Sequence, residues 1–482
     1  MAIPTIRLTS LDDIIEQHIG KMWWKQFMQF AIISFAWFFD AQQTFISIFA
    51  DKDPKATCTH RSLPKNSGSW DYASTISQWS VQCASPILKG LPAASFLLGC
   101  VVGGLALATL ADSKLGRKNM LVMSCVVMSI SGGLTAISNN IWMYIGLRFI
   151  SGFGRSTIGT CAFVLGSEIV GKKWRGKVGV FGMICYTLGF LSLPIIAYFL
   201  RNSSWRFLYV YTCLPCFCYS VLVYSFAYES PRWFYIKGKK EHFLKTINSL
   251  SSLSSPLTGT SMEWTEGLHN QPFYSSLKVL FSKTWARKRL LAGMVASFGL
   301  GMANYGTPLS LGGLPLSLYK STALNAVTEC VSTLILFLVI GRLSRRISVI
   351  GLCVFSGACT LISVLVKVKR LEIGFELVSF FCACMAYNVL LVYTAELFPT
   401  TIRNSAMAML REACLVGGFL GPVLVAAGGK IRMLSYGVFG VAVLVCGLFV
   451  ICLPETKGTV LCDSVEEEES KAAGDSNGAD NA

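Results

Sequence analysis

Apolar stretches of about twenty residues, each long enough to cross roughly 30 Å of hydrocarbon as a helix, recur twelve times along this chain of 482 residues. They begin near Gln26, Leu88, Met120, Met143, Val178, Trp205, Leu290, Leu318, Ser348, Gly374, Asn404 and Met433. The third and twelfth are the most continuous, and Glu329 interrupts the eighth. They form two groups of six around a polar segment. The pattern predicts an all-α membrane protein with twelve transmembrane helices in two pseudo-symmetric six-helix bundles.

The polar segments divide the chain into successive parts. The predicted parts are a cytoplasmic N-terminal segment (1–25), an N-terminal bundle (26–228) with an outer loop at about 50–87, a cytoplasmic central loop (229–289), a C-terminal bundle (290–453) and a cytoplasmic tail (454–482). The tail is acidic from Glu466 to Glu469 and then small and polar, a composition typical of disorder.

The distribution of charge supports a membrane protein and argues against nucleic-acid binding. Hydrophobic residues make up 53% of the chain and charged residues 14%, too few charges to cover a soluble protein of this length. The net charge is +16, but the basic residues gather in every second loop. That alternation follows the positive-inside rule with both termini in the cytoplasm.

The same charged pattern occurs once in each group of six apolar stretches. The segment Leu115–Lys118 is echoed 228 residues later by Leu343–Arg346. Glu168, seven residues before Arg175, is echoed at the same separation by Glu396 and Arg403. A duplicated membrane bundle with matching loops is typical of transporters whose substrate site lies between the two halves.

Several motifs that could carry other chemistry lack essential parts. The CxxC at Cys213 and Cys216 has no second pair of ligands, so no metal site is expected. The segment 166–173 lacks the Ser or Thr that a phosphate-binding loop needs after its lysine. No catalytic constellation is found, so the chain is predicted not to be an enzyme and to need no cofactor. Cys58 and Cys83 share the outer loop and are disulfide candidates, although the sequence leaves open whether they are bridged.

Four motifs resemble the major facilitator superfamily. The segment Asp112–Lys118 resembles its acidic–basic loop after helix two, and Arg148–Gly152 resembles its helix-four signature. The segments Glu229–Trp233 and Pro454–Gly458 are similar to motifs of its sugar-porter branch. Two departures are evident: Ser113 separates the acidic residue from the basic one, and Gly341 stands where the second half would carry an aspartate.

Other segments resemble the organic cation/carnitine branch of the superfamily, and most of all its plant members. These features are the outer loop with two cysteines, Tyr305–Gly306, Glu329, the segment Asn388–Glu396 and the start of helix one, Ala36–Gln42. One segment departs from the pattern. In the animal members, helix eleven carries an acidic residue in cation carriers and a basic one in anion carriers, whereas Cys414–Gly418 is neutral here.

This resemblance implies that the loop charges gate the transporter. They would form ion pairs on the cytoplasmic face that hold the two halves together while the site opens outward and break when it opens inward. The residues concerned are Asp112, Arg117, Lys118, Glu168, Arg175, Arg345, Arg346, Glu396 and Arg403. The positive-inside rule alone would explain the basic residues. It would not explain Glu168 and Glu396, or their equal separation from the arginines that follow them.

Charges near the middle of an apolar stretch are the first candidates for substrate binding, because burying one costs about 2.5–3.5 kcal/mol on insertion scales. Such residues are Asp40, Arg155 and Glu329. A carboxylate with aromatic walls suits an organic cation, and asparagines could orient a hydroxyl or carboxylate. The further candidates are Phe38, Tyr186, Asn304, Tyr305, Tyr387 and Asn388. Asp40 and Arg155 could instead pair only with each other and hold two helices together.

The function expected is carriage of a small organic cation or zwitterion, such as carnitine, by alternating access. One alternative is a proton-coupled sugar or organic-anion carrier, in which Asp40 and Glu329 would bind protons. Another is a nutrient sensor that does not transport. The expected setting is a multi-pass protein surrounded by membrane lipid, functional as a monomer and without a nucleic-acid partner. The plasma membrane is expected, with the vacuolar membrane as the alternative.

Overall fold

The computed structural model describes residues 16–19, 23–52, 74–107, 115–251, 273–310, 317–366, 368–427 and 432–457, together with 465, 467 and 469. The regular structure of these ranges is helical. Asp112 and Cys58 lie outside them, and so does the side chain of Arg175.

The N-terminal half contains the six predicted spans. Span 1 comprises three consecutive helices, Trp24–Ser34, Ala36–Phe45 and Ser47–Ala50. Span 4 comprises two, Ile141–Arg155 and Ile158–Glu168. The others are Pro86–Leu107 (span 2), Arg117–Thr135 (span 3), Lys172–Phe199 (span 5) and Trp205–Phe226 (span 6).

The C-terminal half repeats this arrangement. Its helices are Thr284–Ser310 (span 7), Leu318–Val339 (span 8), Arg345–Leu365 (span 9), Lys369–Leu397 (span 10), Thr400–Ala427 (span 11) and Arg432–Leu448, which with the 3-10 turn Phe449–Cys452 forms span 12. Three helices of the central loop, Pro231–Ile236, Lys240–Leu250 and Phe273–Ser282, lie between the halves in sequence. A further short helix, Thr75–Gln78, and a 3-10 turn, Val81–Cys83, belong to the outer loop.

Nine helical segments in the described ranges are long and apolar enough to cross a membrane. The three remaining spans fall short for local reasons. Span 4 is interrupted at Ser156–Thr157, span 7 begins with a basic turn, and span 12 is a helix of 17 residues that ends in a 3-10 turn. The all-α fold of two six-helix bundles predicted from the sequence is therefore confirmed.

Each half has its own apolar core. The N-terminal core includes Ile33 and Leu165, and Phe243 and Ile247 of the central loop pack into it. The C-terminal core includes Leu290 and Tyr393 together with Leu280 of the central loop. The central loop is therefore attached to both halves on one side of the molecule. We call this the central-loop side and the opposite one the outer-loop side.

The two halves meet on the outer-loop side. The rings of Phe49 in span 1 and Tyr319 in span 8 are stacked with their centroids 5.6 Å apart, and Tyr198 of span 5 contacts Tyr319 edge-on at 5.7 Å. A Cβ atom at Gly90 of span 2 would lie 2.9 Å from the backbone carbon of Pro422 in span 11. On the central-loop side, by contrast, each of the two apolar cores is made of residues from one half. The structure is thus closed on the outer-loop side.

The described part of the outer loop is attached to the N-terminal half. Thr75 donates a hydrogen bond of 2.7 Å to Asp51, and Trp205 donates one of 2.7 Å to Gln78. Cys83 is disulfide-bonded. Its pairing with Cys58 stays a prediction, because Cys58 lies outside the described residues.

Candidate functional site

The duplicated charges form the same cluster in each half. In the N-terminal half, Arg117 lies 3.7 Å from Glu168, which also accepts a hydrogen bond from Ser230. Glu229 accepts hydrogen bonds from the backbone N–H groups of Arg117 (3.0 Å) and Lys118 (3.0 Å), the first residues of span 3. A carboxylate at a helix N-terminus satisfies donors that the helix cannot and is stabilised by the helix dipole.

The C-terminal half repeats each contact. Arg345 lies 3.0 Å from Glu396, to which Thr456 donates a hydrogen bond of 2.7 Å. Glu455 accepts hydrogen bonds from the N–H groups of Arg345 (2.9 Å) and Arg346 (3.2 Å), at the start of span 9. Each cluster therefore joins a loop charge of one half to the segment that follows the sixth span of the same half.

Glu229 and Glu455 occupy corresponding places but differ in their electrostatics. Burial raises the pKa of Glu229, although the hydrogen bonds that it accepts from N–H groups oppose this change. Burial acts in the same direction on Glu455, but hydrogen bonds from Ser344 and from backbone N–H groups hold its pKa below the ordinary value. The pKa values of the two carboxyl groups are thus changed in opposite directions.

The other predicted gating residues lie around these clusters. The ammonium group of Lys118 lies 5.5 Å from the ring centroid of Tyr224, and Arg403 donates a hydrogen bond of 3.2 Å to the carbonyl of Phe398. The two ion pairs, Arg117–Glu168 and Arg345–Glu396, each stay within one half. A role in holding the halves together stays a prediction for all of these charges.

Asp40 and Arg155 form a buried ion pair between spans 1 and 4. Nη2 of Arg155 lies 3.3 Å from Oδ2 of Asp40, and Nη1 lies 3.5 Å from the sulfur of Cys100 in span 2. Asp40 is 1% exposed and Arg155 is 3% exposed. The pair therefore ties spans 1, 2 and 4 together, and each charge is largely compensated by the other.

Glu329 differs from Asp40 because no hydrogen bond or ion pair of its Oε2 atom is found within the described residues. It lies buried in the middle of span 8. Polar groups of Ser321, Asn325 and Ser332 on the same span are also buried without partners there. Spacings of three and four residues place all of these side chains on one helix face. This face offers a carboxylate, an amide and hydroxyls to a ligand.

Three predicted tyrosines surround this part of the molecule. Tyr186 of span 5 is within electrostatic range of Glu329, Tyr305 and the Asp40–Arg155 pair. Tyr305 of span 7 lies 6.4 Å, between ring centroids, from Phe45 of span 1, so it bridges the halves. Tyr387 of span 10 hydrogen-bonds Cys414 of span 11. We call Asp40, Arg155, Tyr186, Tyr305, Glu329 and Tyr387 the central group.

The remaining predicted residues are placed differently. Phe38 stacks on Phe35 with ring centroids 4.8 Å apart, in an aromatic cluster that continues to Phe39 and Tyr219 of span 6. The structure does not bring Phe38 to the central group. Asn304 lies in span 7 beside Cys384, with 3.8 Å between Oδ1 and the sulfur, and Asn388 lies half-buried in span 10. Substrate contacts of these residues stay predictions.

Sequence reasoning missed two charges in span 11. Arg411 reaches span 4 of the other half, where a Cβ atom at Gly159 would lie 3.3 Å from its Nη1 atom. Glu412 reaches Gly104 of span 2. The signal that singled out Asp40 and Glu329, a charge inside an apolar stretch, is present at both positions. Span 11 thus brings two charges to the interface between the halves.

Comparisons with known proteins agree with this architecture. The model of the sugar (and other) transporter family matches residues 28–466. Organic cation/carnitine transporter 3 of Arabidopsis thaliana is 49% identical, over 96% of this chain and 94% of that protein. Organic cation/carnitine transporter 2 of the same plant is 46% identical over the same shares. Solute carrier family 22 member 3 of Rattus norvegicus is 30% identical over 86% of this chain and 77% of that protein.

Among solved structures, the inward-open xylose transporter XylE from E. coli superimposes with a TM-score of 0.70 at 18% identity, over 90% of this chain and 98% of that one. This likeness confirms the fold of the major facilitator superfamily. The similar proteins are transporters, and the chain is a carrier rather than an enzyme. It belongs to the sugar (and other) transporter family and, within it, to the organic cation/carnitine transporters.

Proposed function

We propose that this chain carries small organic cations, or zwitterions with a cationic head such as carnitine, and that Glu329 binds the cationic group. The observation that carries this proposal is the unpartnered Oε2 atom of Glu329, buried in the middle of span 8. A bound cation would supply the charge partner that a buried carboxylate needs. Asp40 is less suited to this role because Arg155 already compensates it.

The surroundings of Glu329 support a cation of this kind. Tyr186 is within electrostatic range of both Glu329 and Tyr305. Aromatic faces attract quaternary ammonium groups, and they do so more strongly away from water. Asn325, one turn before Glu329, has both polar atoms of its amide buried without partners in the described residues. That amide could bind a hydroxyl or carboxylate of the substrate. The names of the plant relatives point to the same substrates.

Alternating access fits the arrangement of the two halves. We infer that the central-loop side is the cytoplasmic side, in accord with its basic loops, and that the closed outer-loop side belongs to an inward-facing state. A cation would then leave the central group toward the cytoplasm.

We place the carrier in the plasma membrane as a monomer surrounded by lipid, with both termini in the cytoplasm. A fluorescent fusion tests the location, since a vacuolar signal would contradict it.

The decisive experiment is uptake of labelled tetraethylammonium and carnitine into cells expressing the chain, beside a hexose and an organic anion. Saturable uptake of the cation or of carnitine is expected, and Glu329→Gln should abolish it. Glu241→Gln is the matched control, because Glu241 is an exposed carboxylate of the central loop. Uptake of the hexose or the anion alone would overturn the substrate assignment. No uptake of any compound by a protein shown to be in the membrane would favour a sensor.

A further inference from the structure

Glu412 in span 11 is a half-buried charge that neither the central group nor the loop clusters use. Its carboxyl group crosses the interface between the halves and rests on Gly104 of span 2. A Cβ atom at Gly104 would lie 2.8 Å from the carboxyl carbon of Glu412, so a larger residue there would displace the carboxyl group. The side chain therefore occupies a space formed by both halves.

One oxygen of this carboxyl group has no partner. Oε2 of Glu412 is buried, and no hydrogen bond to it is found within the described residues. The cations in electrostatic range are Arg411 on the same span and Arg155 on span 4, which is already paired with Asp40. Among the other titratable groups, Cys414 on span 11 is in electrostatic range of Glu412, and Cys100 on span 2 and Tyr305 on span 7 are in range of the neighbouring Arg411.

An ionised carboxylate in such a place is costly, because its Oε2 atom has lost water without gaining a hydrogen bond or a direct ion pair. The neutral acid costs much less there. An organic cation is a poor substitute for the proton, since the two nearby guanidinium groups would repel it. The Glu412 site is also narrow, with span 2 against the carboxyl group. The ligand that fits is a single proton.

We propose that Glu412 is a proton-binding site whose occupancy is coupled to the movement of the two halves. The proton is bound while the carboxyl group rests on Gly104, and it is released to water when spans 2 and 11 move apart. A proton that binds one state more tightly shifts the equilibrium toward that state, and the state in turn sets the affinity for the proton. This inference rests on the proposed alternating-access carrier and adds a coupled proton to it.

The test compares the pH dependence of tetraethylammonium uptake in the wild type, Glu412→Gln and Glu412→Asp between about pH 5.5 and about pH 7.5. A single protonation changes the rate by at most about tenfold per pH unit. We expect a pH-dependent wild type, a nearly flat profile for Glu412→Gln, which mimics the neutral acid, and a dependence kept by Glu412→Asp. Identical profiles of the wild type and Glu412→Gln would overturn the proposal.

Two further measurements separate this proposal from the proposed substrate. Gly104→Ala should displace the carboxyl group and alter the pH profile, whereas Gly341→Ala, where an added Cβ meets nothing within 4 Å, should not. The midpoint of thermal unfolding of the purified protein needs no substrate. The difference in midpoint between the wild type and Glu412→Gln should change with pH even if tetraethylammonium is not carried. A constant difference would overturn the proton site, while absent uptake alone would overturn only the substrate.

Discussion

The Asp40–Arg155 ion pair lies where neither side chain reaches bulk water. Two opposite charges in contact largely cancel, whereas one charge alone in a low-dielectric interior keeps its full desolvation cost. Arg155 also contacts Cys100 and lies 5.8 Å from the ring centroid of Phe96, both in span 2. These contacts favour a structural role for the pair, in holding spans 1, 2 and 4 together.

This role predicts a characteristic double-mutant pattern. Asp40→Asn and Arg155→Gln should each destabilise the protein by about 3–5 kcal/mol, because each leaves a buried charge unpaired. The double variant should lose less than the sum, since it removes both charges. Chemical denaturation in detergent, followed by tryptophan fluorescence, measures the free energies of unfolding. Additive losses would contradict a direct pair and return Asp40 to the substrate candidates.

At the level of single residues, some members of the site could be predicted from the sequence and others could not. A charge inside an apolar stretch is visible in sequence, and this signal found Asp40, Arg155 and Glu329. The same signal exists at Arg411 and Glu412. By contrast, the direction of an aromatic side chain depends on the rotation of its helix within the bundle. Sequence therefore could not show that Phe38 stacks on Phe35 rather than joining the central group.

At the scale of helices, the repeat extends further than the loop charges. Gly189 of span 5 and Gly417 of span 11 are also 228 residues apart. A Cβ atom at Gly189 would lie 2.8 Å from the backbone carbon of Phe38 in span 1, and one at Gly417 would lie 3.0 Å from that of Phe298 in span 7. The same close helix contact is thus formed in both halves, as small residues allow in membrane bundles.

Substituting these glycines should separate the helices. Gly189→Ala and Gly417→Ala should each destabilise the protein by roughly 1–3 kcal/mol, the usual cost of overpacking. Gly146→Ala and Gly437→Ala are the controls, because an added Cβ meets nothing within 4 Å at either position, and they should change stability little. Thermal unfolding in detergent compares the four variants. Equal effects on the test and control pairs would contradict the close helix contact.

The loop clusters should respond to pH in opposite directions. Because folding lowers the pKa of Glu455, this residue stabilises the folded protein at pH values above its ordinary pKa. That stabilisation is lost as the pH falls through the pKa that Glu455 has in the folded protein. Because folding raises the pKa of Glu229, this residue stabilises the folded protein at low pH. That stabilisation is lost as the pH rises through the pKa that Glu229 has in the folded protein. The destabilisation caused by Glu455→Gln should therefore shrink on acidification, while that caused by Glu229→Gln should grow.

Unfolding midpoints of the two variants and the wild type, measured from about pH 3 to about pH 8 around the ordinary carboxyl pKa, check this prediction. The wild type is the common reference, so general effects of pH on the detergent-solubilised protein cancel. Differences that follow the same trend in both variants would contradict the asymmetry between the clusters.

At the scale of the whole molecule, the closed side determines which state is observed. Phe49, Tyr198 and Tyr319 close the outer-loop side with ring contacts from spans 1, 5 and 8. The sequence predicted two bundles correctly, because twelve apolar stretches and a repeat specify them. It could not specify whether the inward-facing or the outward-facing state is observed. The same residues must support both states of a rocking transporter, and the two states differ little in energy.

Removing the ring of Tyr319 should shift the molecule toward the outward-facing state. Aromatic pairs contribute about 0.5–1.5 kcal/mol each, so losing two of them should change the equilibrium between the states roughly fivefold or more. Apparent affinity for a ligand falls with the fraction of molecules in the competent state. Tyr319→Ala should therefore lower the KM for tetraethylammonium applied from the outer-loop side. Tyr211→Ala removes an exposed ring within the N-terminal half and should leave that KM unchanged. An unchanged or higher KM for Tyr319→Ala would show that these rings do not hold the outer-loop side closed.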